Sequence, residues 1–141
     1  MIRIMAIGLA LAGMSAVRFT ATARAEDGPL KVVVHINFSE TGTQGAGLRS
    51  VANILKDDPQ AKVEVVCHAA GIGLVEKART EHAEAIQALI KQGATVVACE
   101  NTMRQKSIRK EDLLPGVGTV PSGAVEVVRK QHKDGYAYFK P

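Results

Sequence analysis

Short β-branched runs alternate with longer stretches whose apolar residues recur every three or four positions, from residue 31 to residue 140. Short apolar runs bounded by glycine and proline predict strands, and the three-to-four spacing predicts helices. The predicted strands span residues 31–36, 62–68, 94–99, 117–120 and 136–140, and the predicted helices span 45–55, 74–92, a polar stretch from 100 to 114, and 121–135. Because strands and helices alternate and the strands are nearly all apolar, the pattern predicts an α/β fold with helices on both faces of a mainly parallel sheet.

Residues 1–25 have a different pattern, that of a secretory signal peptide. Arg3 precedes an almost wholly apolar segment over residues 4–17, which is too short to span a bilayer comfortably. Small residues at positions 23 and 25 then supply a cleavage site. We expect cleavage after Ala25, which leaves one exported domain over residues 26–141 with no stable membrane insertion; in a bacterium this domain is periplasmic. An uncleaved anchor is the alternative, because arginine is unusual just before a cleavage site.

The charge of the chain gives little support for a nucleic-acid partner. The formal net charge is +4, but the first 25 residues hold three arginines and no acidic residue, so the rest of the chain carries only +1. Three of the five aromatic residues, Tyr136, Tyr138 and Phe139, crowd into the last predicted strand. Neither a basic surface nor a stacking platform for bases is therefore expected.

Cys99 ends the third predicted strand, and a helix is predicted to follow it. Asn101 or Thr102 is the expected cap of that helix. A cysteine at the carboxyl end of a strand and at the positive end of a helix has a lowered thiol pKa, and its thiolate attacks sulfur or binds metal. The alternative is that Cys99 is a small apolar residue that only fills the core.

The carboxyl ends of the first three predicted strands carry His35, Cys67 with His68, and Cys99. Parallel strands end at one edge of a sheet, so three interpretations compete. A metal site would use thiolate and imidazole ligands, although no CxxC or HxxxH pair is present. A disulfide between Cys67 and Cys99 needs both side chains on the same face. In the third interpretation Cys99 is reactive, Cys67 packs in the core, and the histidines orient a bound group.

Two glycine-rich segments and one arginine complete the candidates. Residues 41–47 can cradle an anion at a helix N-terminus, but we favour a flexible connection, and the same holds for residues 71–73. Arg104 follows Cys99 by about one helical turn and can add positive potential near the sulfur. Glu100 has the opposite effect, so the sign of their sum stays open.

Several segments together resemble the DsrE/DsrF-like family, in particular its small, often exported members. The segments are Cys99-Glu-Asn-Thr-Met-Arg104, Glu111-Asp-Leu-Leu-Pro115, Val120-Pro-Ser-Gly-Ala-Val-Glu126, Gln131 and Gly135-Tyr-Ala-Tyr-Phe-Lys-Pro141, with Val32-Val-Val-His-Ile-Asn37, Ala52-Asn-Ile-Leu55 and Val65-Val-Cys-His68 in the first half. The resemblance covers nearly all of residues 26–141. It implies a three-layer sandwich with a five-stranded, mainly parallel sheet, assembled as a homotrimer or homohexamer.

The resemblance also implies a function. In well-understood relatives a cysteine carries a persulfide in sulfur relay or sulfur oxidation, and Cys99 matches that cysteine. The leading hypothesis is a periplasmic sulfur carrier or sulfurtransferase without an organic cofactor, which exchanges sulfur with a partner protein or a small sulfur compound. His35, His68, Asn101 and Arg104 are expected to line the pocket and tune the thiol. Cys67 has no counterpart with an assigned role, so it is either packing or a resolving thiol.

Two other classes of function stay open. In the first, the chain is a non-catalytic oligomeric binding module in which Cys99 only packs. In the second, it is a metal-binding protein that uses His35, His68 and Cys99. The export signal departs from the family's relay proteins, which act in the cytoplasm, and an exported thiol must stay reduced or be loaded in an oxidising compartment.

Overall fold

The computed structural model of the chain describes residues 28–141, and within them five strands form one sheet. The strand order is β4-β3-β2-β1-β5, and every neighbouring pair is parallel. The strands are β1 Lys31–Ile36, β2 Lys62–Cys67, β3 Thr95–Cys99, β4 Gly118–Val120 and β5 Ala137–Phe139. The helices are α1 Thr41–Asp57, α2 Ala83–Lys91, α3 Glu100–Gln105 and α4 Gly123–His132, with 3₁₀ helices at Ala69–Val75 and Lys110–Asp112. The predicted α/β class and five-stranded parallel sheet are confirmed.

The two faces of the sheet differ in size and cover. Because side chains alternate along a strand, Val32, Val34 and Ile36 of β1 point into the larger core. That core is closed mainly by α1, α2 and the first 3₁₀ helix. On the opposite face Val33 packs with a smaller cluster that includes Val127 of α4. The chain is thus a three-layer sandwich whose second face is covered chiefly by α4.

The glycine-rich segment 41–47 is helical, so the prediction of a flexible connection is wrong. It forms the first two turns of α1, and its glycines lie where other parts of the chain come close. A Cβ on Gly47 would stand 2.6 Å from Cγ of Pro141, and one on Gly45 would stand 2.9 Å from Cε1 of His82. Close packing, rather than flexibility, explains these two glycines.

The predicted helix 74–92 is also wrong in its first half, because α2 begins only at Ala83. The preceding segment bonds to a distant part of the chain instead: the Lys77 N–H donates to the Asp112 carbonyl at 2.9 Å, and the Leu114 N–H donates to Val75 at 2.9 Å. The polar helix predicted for 100–114 is shorter than expected as well. It ends at Gln105, and Ser107 adopts a positive φ of 54°.

The predicted signal peptide lies outside the described residues. Residues 28–141 include no helix with the length and hydropathy needed to cross a membrane.

Candidate functional site

Cys99 is the last residue of β3 and the N-cap of α3. The helix begins at Glu100, so the prediction that Asn101 or Thr102 caps it is wrong. The side chains of both residues are engaged elsewhere: Thr102 Oγ1 accepts the Ala69 N–H at 3.0 Å, and Oδ1 of Asn101 accepts a hydrogen bond from the Arg104 guanidinium. The predicted position of the cysteine, at the junction of a strand and a helix, is what the structure shows.

Hydrogen-bond donors from two helices converge on the sulfur of Cys99. Burial alone would raise the pKa of this thiol, since only 4% of the residue is exposed. The backbone N–H of Gly123, the N–H and hydroxyl of Thr102, and the N–H of Asn101 outweigh burial and lower the pKa below its ordinary value. Donors that stabilise the charged form have this effect on any acid. The site therefore favours a thiolate at Cys99.

Cys67 lies on the other face of the sheet. In the register of β2 and β3 it stands beside Ala98, one residue before Cys99, so the two thiols point to opposite faces. Cys67 is fully buried in the larger core, and burial raises its pKa to about 12. Both cysteines are free. This geometry does not allow the disulfide interpretation.

His35, His68 and Tyr138 form a hydrogen-bonded row beside Cys99. The Nε2 atoms of the two histidines are 2.5 Å apart, and Nδ1 of His35 is 2.8 Å from the Tyr138 hydroxyl. The planes of the imidazole rings differ by 11° and their centroids are 4.8 Å apart, so the rings meet edge to edge through their Nε2 atoms. Burial lowers the pKa of His35, and His68 and Lys140 lower it further; burial and then Lys140 lower the pKa of His68. Both rings are therefore held in the neutral form near pH 7.

Gly123 packs against both His68 of this row and Cys99. A Cβ on Gly123 would stand 2.9 Å from Cβ of His68 and 3.2 Å from Cβ of Cys99. Only glycine lets the first turn of α4 lie this close to both side chains. The structure thus brings together three of the predicted residues, His35, His68 and Cys99, at one edge of the sheet.

Arg104 and Glu100 take no direct part in this arrangement. Arg104 is exposed and bonds to Asn101, while the Glu100 carboxylate accepts the Thr119 hydroxyl at 2.8 Å. The pKa of Cys99 is lowered by N–H and O–H donors rather than by the charge of Arg104. Asn101 contributes through its backbone, which any residue type supplies.

The sequence did not indicate four residues of the site. They are Thr102 as a hydrogen-bond donor to the sulfur, Gly123, Tyr138 and Lys140. Gly123 and Tyr138 reach the site from 24 and 39 positions beyond Cys99, so no local pattern marks them. The one available signal was the crowding of tyrosines into the last strand. That strand pairs with β1, with Tyr138 beside Val33, and this register places the phenol near His35.

The metal hypothesis finds no support in this geometry. Between residues 28 and 141, no group of three or more His, Cys, Asp or Glu side chains is arranged to hold a metal ion. The Nε2 atoms of His35 and His68 face each other at 2.5 Å, which leaves no room for a metal ion bound by both.

We expect iodoacetamide to alkylate Cys99 in the native protein while Cys67 stays unmodified until the chain unfolds. The reagent reacts with thiolates, and the thiolate fraction at neutral pH is raised at Cys99 and negligible at Cys67. The rate at Cys99 should rise with pH and reach half its maximum below the ordinary pKa of 9.0. Peptide mapping after alkylation at a series of pH values measures both sites. Equal labelling of the two cysteines would contradict the assignment.

Comparison with known proteins agrees with the fold and identifies the family. Residues 13–141 match the model of the DsrE/DsrF-like family. The structure is similar to a protein of unknown function, MTH1491 from Methanobacterium thermoautotrophicum, with 31% identity and a TM-score of 0.75 over 79% of this chain and 99% of the other. It is also similar in fold to the YchN protein of E. coli, with 12% identity and a TM-score of 0.67 over 80% and 99% of the two chains. No curated protein matches the sequence. The chain belongs to the DsrE/DsrF-like family and is related to sulfur relay proteins.

Proposed function

We propose that this protein carries sulfane sulfur as a persulfide on Cys99. The observation that carries the proposal is the set of N–H donors from two helices around one sulfur atom, which lowers the pKa of Cys99. The other cysteine provides an internal contrast, since burial raises the pKa of Cys67 to about 12. One of two cysteines in the chain is therefore prepared as a nucleophile, and family membership indicates sulfur as its substrate.

The chemistry needs no cofactor. The Cys99 thiolate attacks the outer sulfur of thiosulfate, the S–S bond of thiosulfate breaks, and sulfite leaves with the bonding electron pair. A polysulfide reacts in the same way and leaves shorter by one sulfur atom. The product, Cys99–S–S⁻, keeps its negative charge near the N–H groups of Asn101, Thr102 and Gly123, which stabilise it as they stabilise the thiolate.

We further propose that the protein is exported and works as a homotrimer or homohexamer. It exchanges sulfur with a partner protein or a small sulfur compound. Exposed valines on α4 support self-association: Val125 and Val128 are 63% and 61% exposed. Apolar side chains this exposed are commonly covered in an assembly. Sedimentation equilibrium of residues 26–141 measures the number of subunits.

A non-catalytic binding module is the second candidate function. The low exposure of Cys99, 4%, favours it, because a thiol that only packs is also buried. This candidate predicts that Cys99→Ala keeps the function and costs only a little stability.

Incubation with thiosulfate or polysulfide, followed by intact mass, separates the two. We expect the wild-type protein to gain the mass of one sulfur atom, removable by cyanide, and Cys99→Ala to gain none. Cys67→Ala is the matched control: it leaves the second face untouched and should load as the wild type does, after circular dichroism has verified its fold. If the wild-type chain gains no sulfur while Cys99 remains open to alkylation, the carrier function is wrong.

A further inference from the structure

The row Tyr138–His35–His68 runs from the protein surface to the side of Cys99. Tyr138 is 45% exposed, His35 and His68 are partly buried, and the steps between them measure 2.8 and 2.5 Å. A row of hydrogen-bonding groups with these spacings conducts protons when each member can both donate and accept. Imidazole and phenol groups both meet that condition.

The 2.5 Å contact allows only two arrangements of protons in the row. One Nε2 atom carries a hydrogen and donates, and the other accepts, because two Nε2–H groups would repel. If His35 donates, neutral His68 carries its hydrogen on Nδ1. If His68 donates, its Nδ1 atom has a free lone pair and is a base. The proton state of Nδ1 on His68 is therefore coupled to Tyr138 through His35.

The Nδ1 atom of His68 lies at the inner end of the row. Among residues 28–141 it has no hydrogen-bond partner, whereas Nε2 is engaged with His35. Cγ of His68 stands 3.1 Å from the Cβ position of Gly123, which also lies 3.2 Å from Cβ of Cys99. Because Nε2 points to His35, the end of the ring that lies toward Gly123 and Cys99 is the Cγ end, and Nδ1 is the one nitrogen bonded to Cγ.

We propose that the row is a proton relay that deprotonates a thiol acceptor of the sulfur held on Cys99, with His68 as the base and His35 and Tyr138 as positioning residues that pass the proton to solvent. This inference rests on the proposed function. It assigns the acceptor to a chemical class: a neutral thiol, which must lose a proton before it attacks, rather than an anion that attacks directly.

The step balances in atoms and charge. The acceptor thiol gives its proton to Nδ1 of His68, and its sulfur attacks the outer sulfur of Cys99–S–S⁻. The S–S bond to Cys99 breaks, and its electron pair stays on Cys99 as a thiolate held by the donors already described. A proton passes from Nε2 of His68 to Nε2 of His35, another passes from Nδ1 of His35 to the Tyr138 oxygen, and Tyr138 releases its own to water.

The surroundings of the row keep it neutral and ready to accept a proton. Lys140, which follows β5, is the charged group that acts on both imidazoles, and it lowers their pKa together with burial. Cys99 faces the row from β3 and Tyr138 faces it from β5. Further along the same face, Glu64 of β2 and Lys130 of α4 pair with each other at 2.8 Å. Because burial and Lys140 lower both pKa values, the row becomes protonated and loses its base only at a pH below the ordinary imidazole pKa of 6.5.

A single-turnover chase of the loaded protein tests the relay. The protein is loaded with polysulfide, loading is verified by intact mass, and the extra sulfur is then removed with either glutathione or sulfite. Sulfite attacks without losing a proton, so it does not need the base. We expect His68→Gln and His35→Gln to slow transfer to glutathione by about tenfold or more, Tyr138→Phe to slow it less, and all three to change transfer to sulfite by less than about twofold.

Two controls make the result specific. His132→Gln changes an exposed histidine at the end of α4 and should leave both rates unchanged. Added imidazole should restore glutathione transfer in His68→Ala, which a purely structural role would not allow. Equal slowing with both acceptors, or none with glutathione, overturns the relay while loading still supports the carrier. Absence of loading overturns the carrier and the relay together.

Discussion

Replacing Gly71 with alanine is expected to lower the free energy of unfolding by about 3 kcal/mol or more. A Cβ at this position would stand 2.2 Å from the carbonyl oxygen of Ile36 and 2.6 Å from its carbonyl carbon. Both are backbone atoms at the end of a central strand, so no side-chain rotation relieves the clash. Thermal unfolding followed by circular dichroism should show a midpoint lowered by about 12 °C or more.

Gly73 in the same 3₁₀ helix is the matched control. A Cβ on Gly73 would meet only the flexible Arg79 side chain, at 3.8 and 3.9 Å, and its φ is not in the left-handed region. Gly73→Ala should therefore change stability by less than about 1 kcal/mol. If the two variants unfold at the same temperature, steric contact with Ile36 is not what requires glycine at position 71.

The close approach at Gly71 also places a site residue. The Ile36 carbonyl accepts the His68 N–H at 3.1 Å, and the His68 carbonyl accepts the Gly71 N–H at 2.9 Å. This turn holds the end of β2 against the end of β1, which brings Nε2 of His68 to Nε2 of His35. A glycine that local sequence reasoning assigned to a flexible connection is thus part of the framework of the site.

The strands and the position of Cys99 were predictable because both depend on local sequence. Runs such as Lys31–Ile36 and Thr95–Cys99 combine β-branched residues with abrupt polar ends, and a parallel sheet brings those ends to one edge. The strand boundaries and the position of Cys99 need no knowledge of distant contacts. The face on which Cys67 lies relative to Cys99 follows only once the register of β2 and β3 is known.

The misjudged segments depend on contacts between residues far apart in the chain. Residues 41–47 contain three glycines, which local propensity assigns to a loop, yet Pro141 and His82 pack against two of them and the segment is helical. Residues 75–77 are drawn out of the predicted helix by bonds to residues 112 and 114. Part of the site depends on distant contacts in the same way, because Tyr138 hydrogen-bonds to His35 although the two are 103 positions apart.

Replacing Gly123 with alanine is expected to slow the reaction of Cys99 with iodoacetamide at neutral pH by about tenfold. The new Cβ would press on His68 at 2.9 Å and on Cys99 at 3.2 Å, which moves the first turn of α4 away from the sulfur. The Gly123 N–H is the largest of the effects that lower the pKa of Cys99, so its loss should raise that pKa. A pKa higher by one unit reduces the thiolate fraction tenfold where the thiol form predominates.

The pH dependence of alkylation distinguishes this cause from general damage. Overpacking against two side-chain Cβ atoms should lower the free energy of unfolding of Gly123→Ala by about 1–3 kcal/mol, so the folded variant can still be assayed for thiol reactivity. Gly118→Ala in β4 is the control, because a Cβ there meets Val97 and Val96 only at 3.6 and 3.9 Å. A pH profile of alkylation should shift upward for Gly123→Ala and stay in place for Gly118→Ala. An unchanged profile in both variants would mean that the donors from α3, Asn101 and Thr102, are enough to set the pKa of Cys99, and that α4 only covers the site.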